Sequence, residues 1–182
     1  EVGPCAVERY RADADLHRGE ARIRVFLNGN AGGGRVRIVV VAPDGGELPP
    51  QTGDVQSCEA GGKEAASGVA DVQLKVDAPQ PWSPDAPNLY AMTIEIFDAN
   101  GALSDRAQGY FAFRAIEARE GGIFLNGKPF YQQLVLNQGY YPEGRHYTPT
   151  EKDLIDDLSA IKAMGFNGFR MHQKFEDRRL LY

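Results

Sequence analysis

Ile123-Phe124-Leu125-Asn126-Gly127-Lys128-Pro129-Phe130 is two short apolar runs joined by Asn-Gly, the strongest short-range hairpin signal a sequence carries. The segments after this hairpin decide the fold of the last third. An apolar strand (Tyr131 to Leu136), a polar aromatic loop (Asn137 to Tyr147), a capped helix (Thr150 to Met164) and a second strand (Phe166 to His172) succeed one another. Strand, helix and strand in that order make one βαβ unit, whose strands lie parallel. A closed β/α barrel needs eight such strands, and the chain stops just after the second. The expectation is an incomplete α/β barrel segment.

The helix carries its own boundary signals. Thr148, with Pro149 at the first helical position and Glu151 as a capping-box acid, fits an N-cap; Thr150 with Asp153 is the alternative one step later. Leu154, Leu158 and Ile161 recur on one face. Gly165 is placed to end the helix in the left-handed region.

Upstream of this unit the period changes from helical to two. Ile23, Val25 and Leu27 alternate with Arg22, Arg24 and Phe26; Val36, Ile38 and Val40 alternate inside Arg35 to Val41. Val72, Leu74 and Val76 do the same, as do Tyr90, Met92, Ile94 and Ile96. One apolar and one polar face is the signature of a half-buried antiparallel strand. Turn residues punctuate the runs at Asn28-Gly29, Asp44-Gly45-Gly46, Gly61-Gly62 and Asn100-Gly101. The expectation for residues 1–115 is a two-sheet β-sandwich of about seven strands. The proline-rich segment Pro79 to Pro87 should cross between sheets with Trp82 packed on the core. A linker is expected near Arg114 to Gly122, with the barrel segment occupying residues 116–182.

Composition excludes several classes. The chain has 182 residues and a net charge of −5, which gives no electrostatic footprint for nucleic acid and no polybasic membrane patch. The sequence holds no apolar run of 18 residues, so no membrane span is expected. Cys5 and Cys58 are read as two unrelated thiols, with a single bridge as the alternative. No His or Cys spacing suggests a metal site, and no cofactor is expected.

Several landmarks, in order, carry a resemblance. Trp82-Ser83-Pro84…Pro87-Asn88-Leu89-Tyr90, Gly109-Tyr110-Phe111-Ala112-Phe113-Arg114 and Phe124-Leu125-Asn126-Gly127-Lys128-Pro129 are three of them. Asp157-Leu158…Ile161-Lys162 and Gly165-Phe166-Asn167-Gly168-Phe169-Arg170 complete the series. Together they resemble glycoside hydrolase family 2, the β-galactosidases, β-glucuronidases and β-mannosidases. The resemblance implies an immunoglobulin-like second domain followed by the start of the catalytic TIM barrel. The chain departs from the family's commoner text at Leu136-Asn137-Gln138-Gly139-Tyr140 and at Met171-His172-Gln173, where the family more often places histidines.

That family hydrolyses terminal β-glycosidic bonds with retention, using two glutamates about 5–5.5 Å apart. The resemblance puts both beyond the second barrel strand, so no catalytic residue is expected in this chain and the chain alone is expected to be inactive. Barrel active sites lie at the C-terminal ends of the strands. The residues that reach that face are Asn137, Gln138, Tyr140 and Tyr141 after the first strand and Arg170 and His172 at the second. Arg170 takes, by resemblance, the role of holding a nucleophilic glutamate ionised. The others are candidate contacts to a carbohydrate substrate, each with an ordinary turn or packing role as its alternative. A stand-alone β-sandwich that binds carbohydrate or protein is the competing reading, disfavoured because parallel strands are normally covered on both faces. Open edges on the strand pair lead to the expectation that the isolated chain self-associates through residues 121–182 or leaves that part poorly ordered; a monodisperse monomer in light scattering with protected amides in both strands would contradict it.

Overall fold

The structure, a computed structural model, describes residues 5–29, 32–57, 68–145, 150–173, 175 and 180. The chain divides into two compact units. The first comprises residues 1–117 with 124–128, and the second residues 118–123 with 129–182.

The first unit is a β-sandwich. Strands β1 (Cys5–Asp15), β2 (Glu20–Gly29), β3 (Arg35–Val41), β4 (Gln51–Asp54), β5 (Gln56–Ser57), β6 (Gly68–Lys75), β7 (Tyr90–Phe97) and β8 (Leu103–Phe111) form two four-stranded sheets. Their orders are β1-β2-β6-β5 and β4-β3-β7-β8, and all neighbours run antiparallel. The alternating residues of β2, β3, β6 and β7 meet between the sheets. Ile23, Val25, Leu27, Val36, Ile38 and Ile94 have no exposed surface, and each such side chain stabilises the fold by roughly 1.5–3 kcal/mol through burial. Residues 76–89 cross from β6 in one sheet to β7 in the other, as the prolines require.

Trp82 does not join the core. It is half-buried, with the Arg114 guanidinium 5.3 Å above its ring. The core position is filled instead by Tyr90, Phe111 and Phe113, whose centroids lie 5.1–5.6 Å apart. The Tyr90 hydroxyl reaches back over the crossing and accepts the Gln80 N–H at 2.8 Å. An indole at the entrance of the crossing keeps its polar edge near the surface, whereas Tyr90 has a partner for its hydroxyl and can be buried.

The edge strands β1 and β8, in opposite sheets, are laced by side chains. Ser104 Oγ accepts the Cys5 N–H at 3.1 Å and donates to the Cys5 carbonyl at 2.7 Å. Asp105 Oδ2 accepts the Val7 N–H. Tyr10 Oη accepts from the Tyr110 N–H and donates to the Tyr110 carbonyl, both at 3.1 Å. Gly109 makes room for that phenol, since a Cβ there would fall 2.7 Å from the ring. Cys5 is a buried free cysteine, and burial pushes its thiol above the ordinary value, helped by the Asp105 charge. Cys58 lies outside the described residues.

Outward faces carry arginine–carboxylate ladders. Glu95 is the one buried charged side chain among the described residues, at 5% exposure. Burial works against its charge, but hydrogen bonds from Arg37 and Arg106 outweigh this and hold the carboxyl below its usual value. Asp71 receives Arg22 at 2.7 Å and Arg24 at 2.9 Å, and hydrogen bonds from these two guanidinia lower its pKa to about 2. A depressed carboxylate contributes stability that is complete above its unfolded pKa and is lost as pH falls through the folded one. With the Asp71 side chain 36% exposed, solvent screening limits the contribution to about 1 kcal/mol. The stability gap between the native chain and Asp71→Asn should therefore shrink as pH falls from about 5 to about 2 in urea titrations. A gap of constant size over that range would contradict this assignment.

The segment expected as a linker holds a strand. β9 (Ile116–Arg119) pairs with β10 (Gly122–Leu125), which pairs in turn with β11 (Lys128–Pro129). Asn126 and Gly127 take φ of 51° and 78°, the paired left-handed conformation that an Asn-Gly hairpin turn demands. Asn126 does more than turn the chain. Its Oδ1 accepts the Ala115 N–H at 3.0 Å, and its Nδ2 donates to the Trp82 carbonyl at 2.9 Å.

The second unit contains a parallel pair joined by a helix: β12 (Leu134–Asn137), α1 (Glu151–Ala163) and β13 (Gly168–Met171). β12 begins at Leu134, later than the expected Tyr131. Ahead of it, the Asn167 side chain ties down the chain by accepting the Gln133 N–H at 2.9 Å and donating to the Tyr131 carbonyl at 2.7 Å. The helix is capped by Thr150, with a reciprocal box to Asp153, so the later of the two sequence options is the one taken; Thr148 and Pro149 lie outside the described residues. Gly165 (φ 87°) ends the helix. Its N–H donates to the Lys162 carbonyl and that of Phe166 to the Ile161 carbonyl, the double closure of a Schellman motif. Among the described residues no helix is long and apolar enough to cross a membrane.

Candidate functional site

The register of the strand pair sorts the candidate residues. Val135 pairs with Phe169 and Asn137 with Met171, while Leu134 pairs with Gly168 and Leu136 with Arg170. Paired residues in a sheet share a face, and successive residues alternate. Asn137 contacts Asp157 of α1, so Val135, Asn137, Phe169 and Met171 belong to the helix side. The other face carries Leu134, Leu136 and Arg170. Leu134 and Leu136 are 46% and 52% exposed.

The C-terminal ends of both strands come together at His172, whose N–H donates to the Asn137 carbonyl at 3.1 Å and extends the ladder by one rung. Gln138 Nε2 lies 3.2 Å from His172 Nδ1. Arg170 is exposed on the same face and, among the described residues, makes no ion pair. A guanidinium left open beside an amide–imidazole pair suits a ligand carrying hydroxyls and one carboxylate neighbour.

The remaining candidates divide. Tyr140 is 64% exposed at the crest of the loop. Asn137 and Tyr141 turn the other way. The Asn137 amide and the Tyr141 hydroxyl each donate to Asp157 Oδ2 at 3.4 Å, and Asn137 Oδ1 accepts the Gly139 N–H at 2.6 Å. Tyr141 and Arg145 close the loop by mutual backbone hydrogen bonds of 2.8 Å. The structure thus brings Gln138 and His172 together at the strand ends with Arg170 on the same face, and places Asn137 and Tyr141 on the supporting side. Their shared partner is Asp157, which the sequence reading places only within the Asp157-Leu158…Ile161-Lys162 landmark. In the sequence it is one of four acids on the helix, and nothing in its spacing names the loop after β12 as its partner.

Two clefts of about 470 and 550 Å³ lie on the sandwich and are lined by residues already engaged in ion pairs, such as Arg22, Lys75 and Arg37. A smaller one of about 370 Å³ involves Tyr131, Gln133, Met164 and Phe166, at the opposite ends of the strands. Among the described residues no group of three His, Cys, Asp or Glu side chains is placed to hold a metal ion.

A sandwich laced at one edge, then a β-hairpin, then a βαβ unit, is an arrangement shared with proteins of known activity. Residues 5–114 match the profile of glycosyl hydrolases family 2. The chain belongs to this family. A β-galactosidase of Photobacterium profundum is 34% identical over 97 residues, covering 53% of this chain and 9% of its own length. A β-galactosidase of Pseudoalteromonas haloplanktis is 29% identical over 104 residues, 57% of this chain and 10% of that protein. The chain therefore spans about a tenth of the length of the curated relatives it matches. Among solved structures, a Parabacteroides merdae β-glucuronidase superposes on 98% of this chain with a TM-score of 0.79 at 18% identity, using 22% of its own chain. Bacteroides uniformis β-glucuronidase 3 gives 0.78 at 22% identity over 98% of this chain and 21% of its own. At such identities the likeness is one of fold.

Proposed function

We propose that residues 1–115 are the immunoglobulin-like second domain, and residues 116–182 the first part of the TIM-barrel catalytic domain, of a retaining β-glycosidase. The carrying observation is the parallel pair β12 and β13 joined by α1 and set directly after a family 2 sandwich. Among the described residues the βαβ unit leaves Leu134 and Leu136 exposed and each strand paired on one side only, edges that further barrel strands would close. In the isolated chain those edges favour self-association.

The reaction needs an acid that protonates the leaving oxygen and a carboxylate that attacks the anomeric carbon. Three of the four acids on α1 are committed elsewhere. Asp153 closes the N-terminal box of α1, Asp156 pairs with Lys152, and Asp157 serves the loop. Both catalytic glutamates belong to later strands, so this chain alone is inactive. Its contribution is the substrate-side wall. Arg170 holds the nucleophile ionised, while Gln138, His172 and Tyr140 meet the sugar. Asn137 and Tyr141 hold the loop in shape.

A β-galactoside is the favoured substrate, supported by the relatives above 30% identity. The test is a panel of aryl β-galactosides, β-glucuronides and β-mannosides offered to a protein extended through the rest of the barrel. Release of the aryl alcohol from the β-galactoside is expected. Preference for the glucuronide would overturn the choice of sugar, and silence on all three would overturn the glycosidase reading.

A further inference from the structure

The stripe of α1 that holds Leu154, 2% exposed, also holds Leu158 and Ile161, and Asp157 interrupts it. A carboxylate there has to be met by donors. Its Oδ2 takes two, the Asn137 amide and the Tyr141 hydroxyl, each at 3.4 Å. These donors stand at the two ends of a five-residue turn, and Gln138 and Tyr140 are exposed between them. Asn137 passes the restraint onward. Its side chain fixes the Gly139 N–H at 2.6 Å, and its carbonyl receives the His172 N–H at 3.1 Å. Gly139 is buried with φ of 61°, a left-handed conformation that glycine enters and leaves without steric cost, so the turn depends on side-chain anchors for its shape. Each Asp157 contact is long for a hydrogen bond. The effect comes from pinning two points of one loop with a single atom.

We infer that Asp157 is a positioning residue, which sets the loop after β12 so that Gln138 and Tyr140 face the ligand while His172 stays in register. Only the kinetic part of the test rests on the glycosidase reading. In the extended enzyme, Asp157→Ala is expected to raise KM about 5- to 20-fold with kcat changed less than about threefold. Asp157→Asn keeps one acceptor oxygen and should recover most of the loss. Leu154→Ala is the control for general helix damage, expected to lower the active fraction with KM unchanged.

In the 182-residue chain, the amide resonances of Gly139 and His172 should move in Asp157→Ala and stay in place in Leu154→Ala. If Asp157→Ala does not fold, Asp157→Asn carries the same readouts with a smaller shift. A fall in kcat at constant KM, or unmoved Gly139 and His172 amides, would overturn the proposal. An extended enzyme silent on every glycoside would count against the glycosidase reading, and the amide shifts would still decide the role of Asp157.

Discussion

Phe113→Ala is expected to destabilise the sandwich by about 3–5 kcal/mol, the range for deleting a buried aromatic side chain. Phe113 has no exposed surface and stands edge-on to Tyr90 at 5.1 Å and 81°. It also meets Phe111 at 5.6 Å. Truncation opens a cavity against two rings that cannot collapse into it, because the Tyr90 hydroxyl is tied to the Gln80 N–H and the Phe113 carbonyl to the Trp82 N–H. Urea unfolding should show the midpoint falling by about 2 M with the slope unchanged. A loss below about 1 kcal/mol would mean that the aromatic triad is not what closes this end of the core.

Arg170→Ala in the extended enzyme is expected to lower kcat/KM on the order of 10²- to 10³-fold, since removing one partner of a desolvated, hydrogen-bonded charge pair costs about 3–5 kcal/mol. The sign of the accompanying pH effect follows from the proposed pairing of Arg170 with the nucleophile. A guanidinium favours the ionised form of a neighbouring carboxylate, so its removal raises the nucleophile's pKa. The acidic limb of the kcat/KM profile should move to higher pH. Arg170→Lys keeps the charge but loses the fork of donors and should fall between. An unmoved acidic limb, with activity within threefold of the parent, would remove Arg170 from this role.

The central strands are legible in the sequence because they are buried on one face and solvated on the other. Every inward residue named for β2, β3 and β7 is buried, as are Val72, Leu74 and Val76 in and just beyond β6. The edge strands are not legible in this way. In β1 the register shifts between Val7 and Arg9, which breaks the alternation, and its later inward positions, Ala12 and Ala14, are too small to signal a core. β8 opens with Leu103, 49% exposed, and its Ser104 and Asp105 bond the backbone of β1. Trp82 was expected to pack against the core at the crossing; it is half-buried and stacks under the Arg114 guanidinium instead. At the candidate site, parity along β12 already separates Asn137 from Gln138, since period two puts Asn137 on the side of Val135. What parity cannot give is the partner across the helix, and Asp157 needed the fold to be found.

The central claim is that this chain is the scaffold of a retaining glycosidase and carries neither of its catalytic glutamates. A 2-deoxy-2-fluoro-β-glycoside with a good leaving group, which traps the glycosyl–enzyme ester, tests it most directly when combined with intact and peptide mass spectrometry. The account predicts one glycosyl adduct in the extended protein, on a glutamate outside residues 1–182, and no adduct on the 182-residue chain. A label on any acid between Glu151 and Asp177 would contradict it.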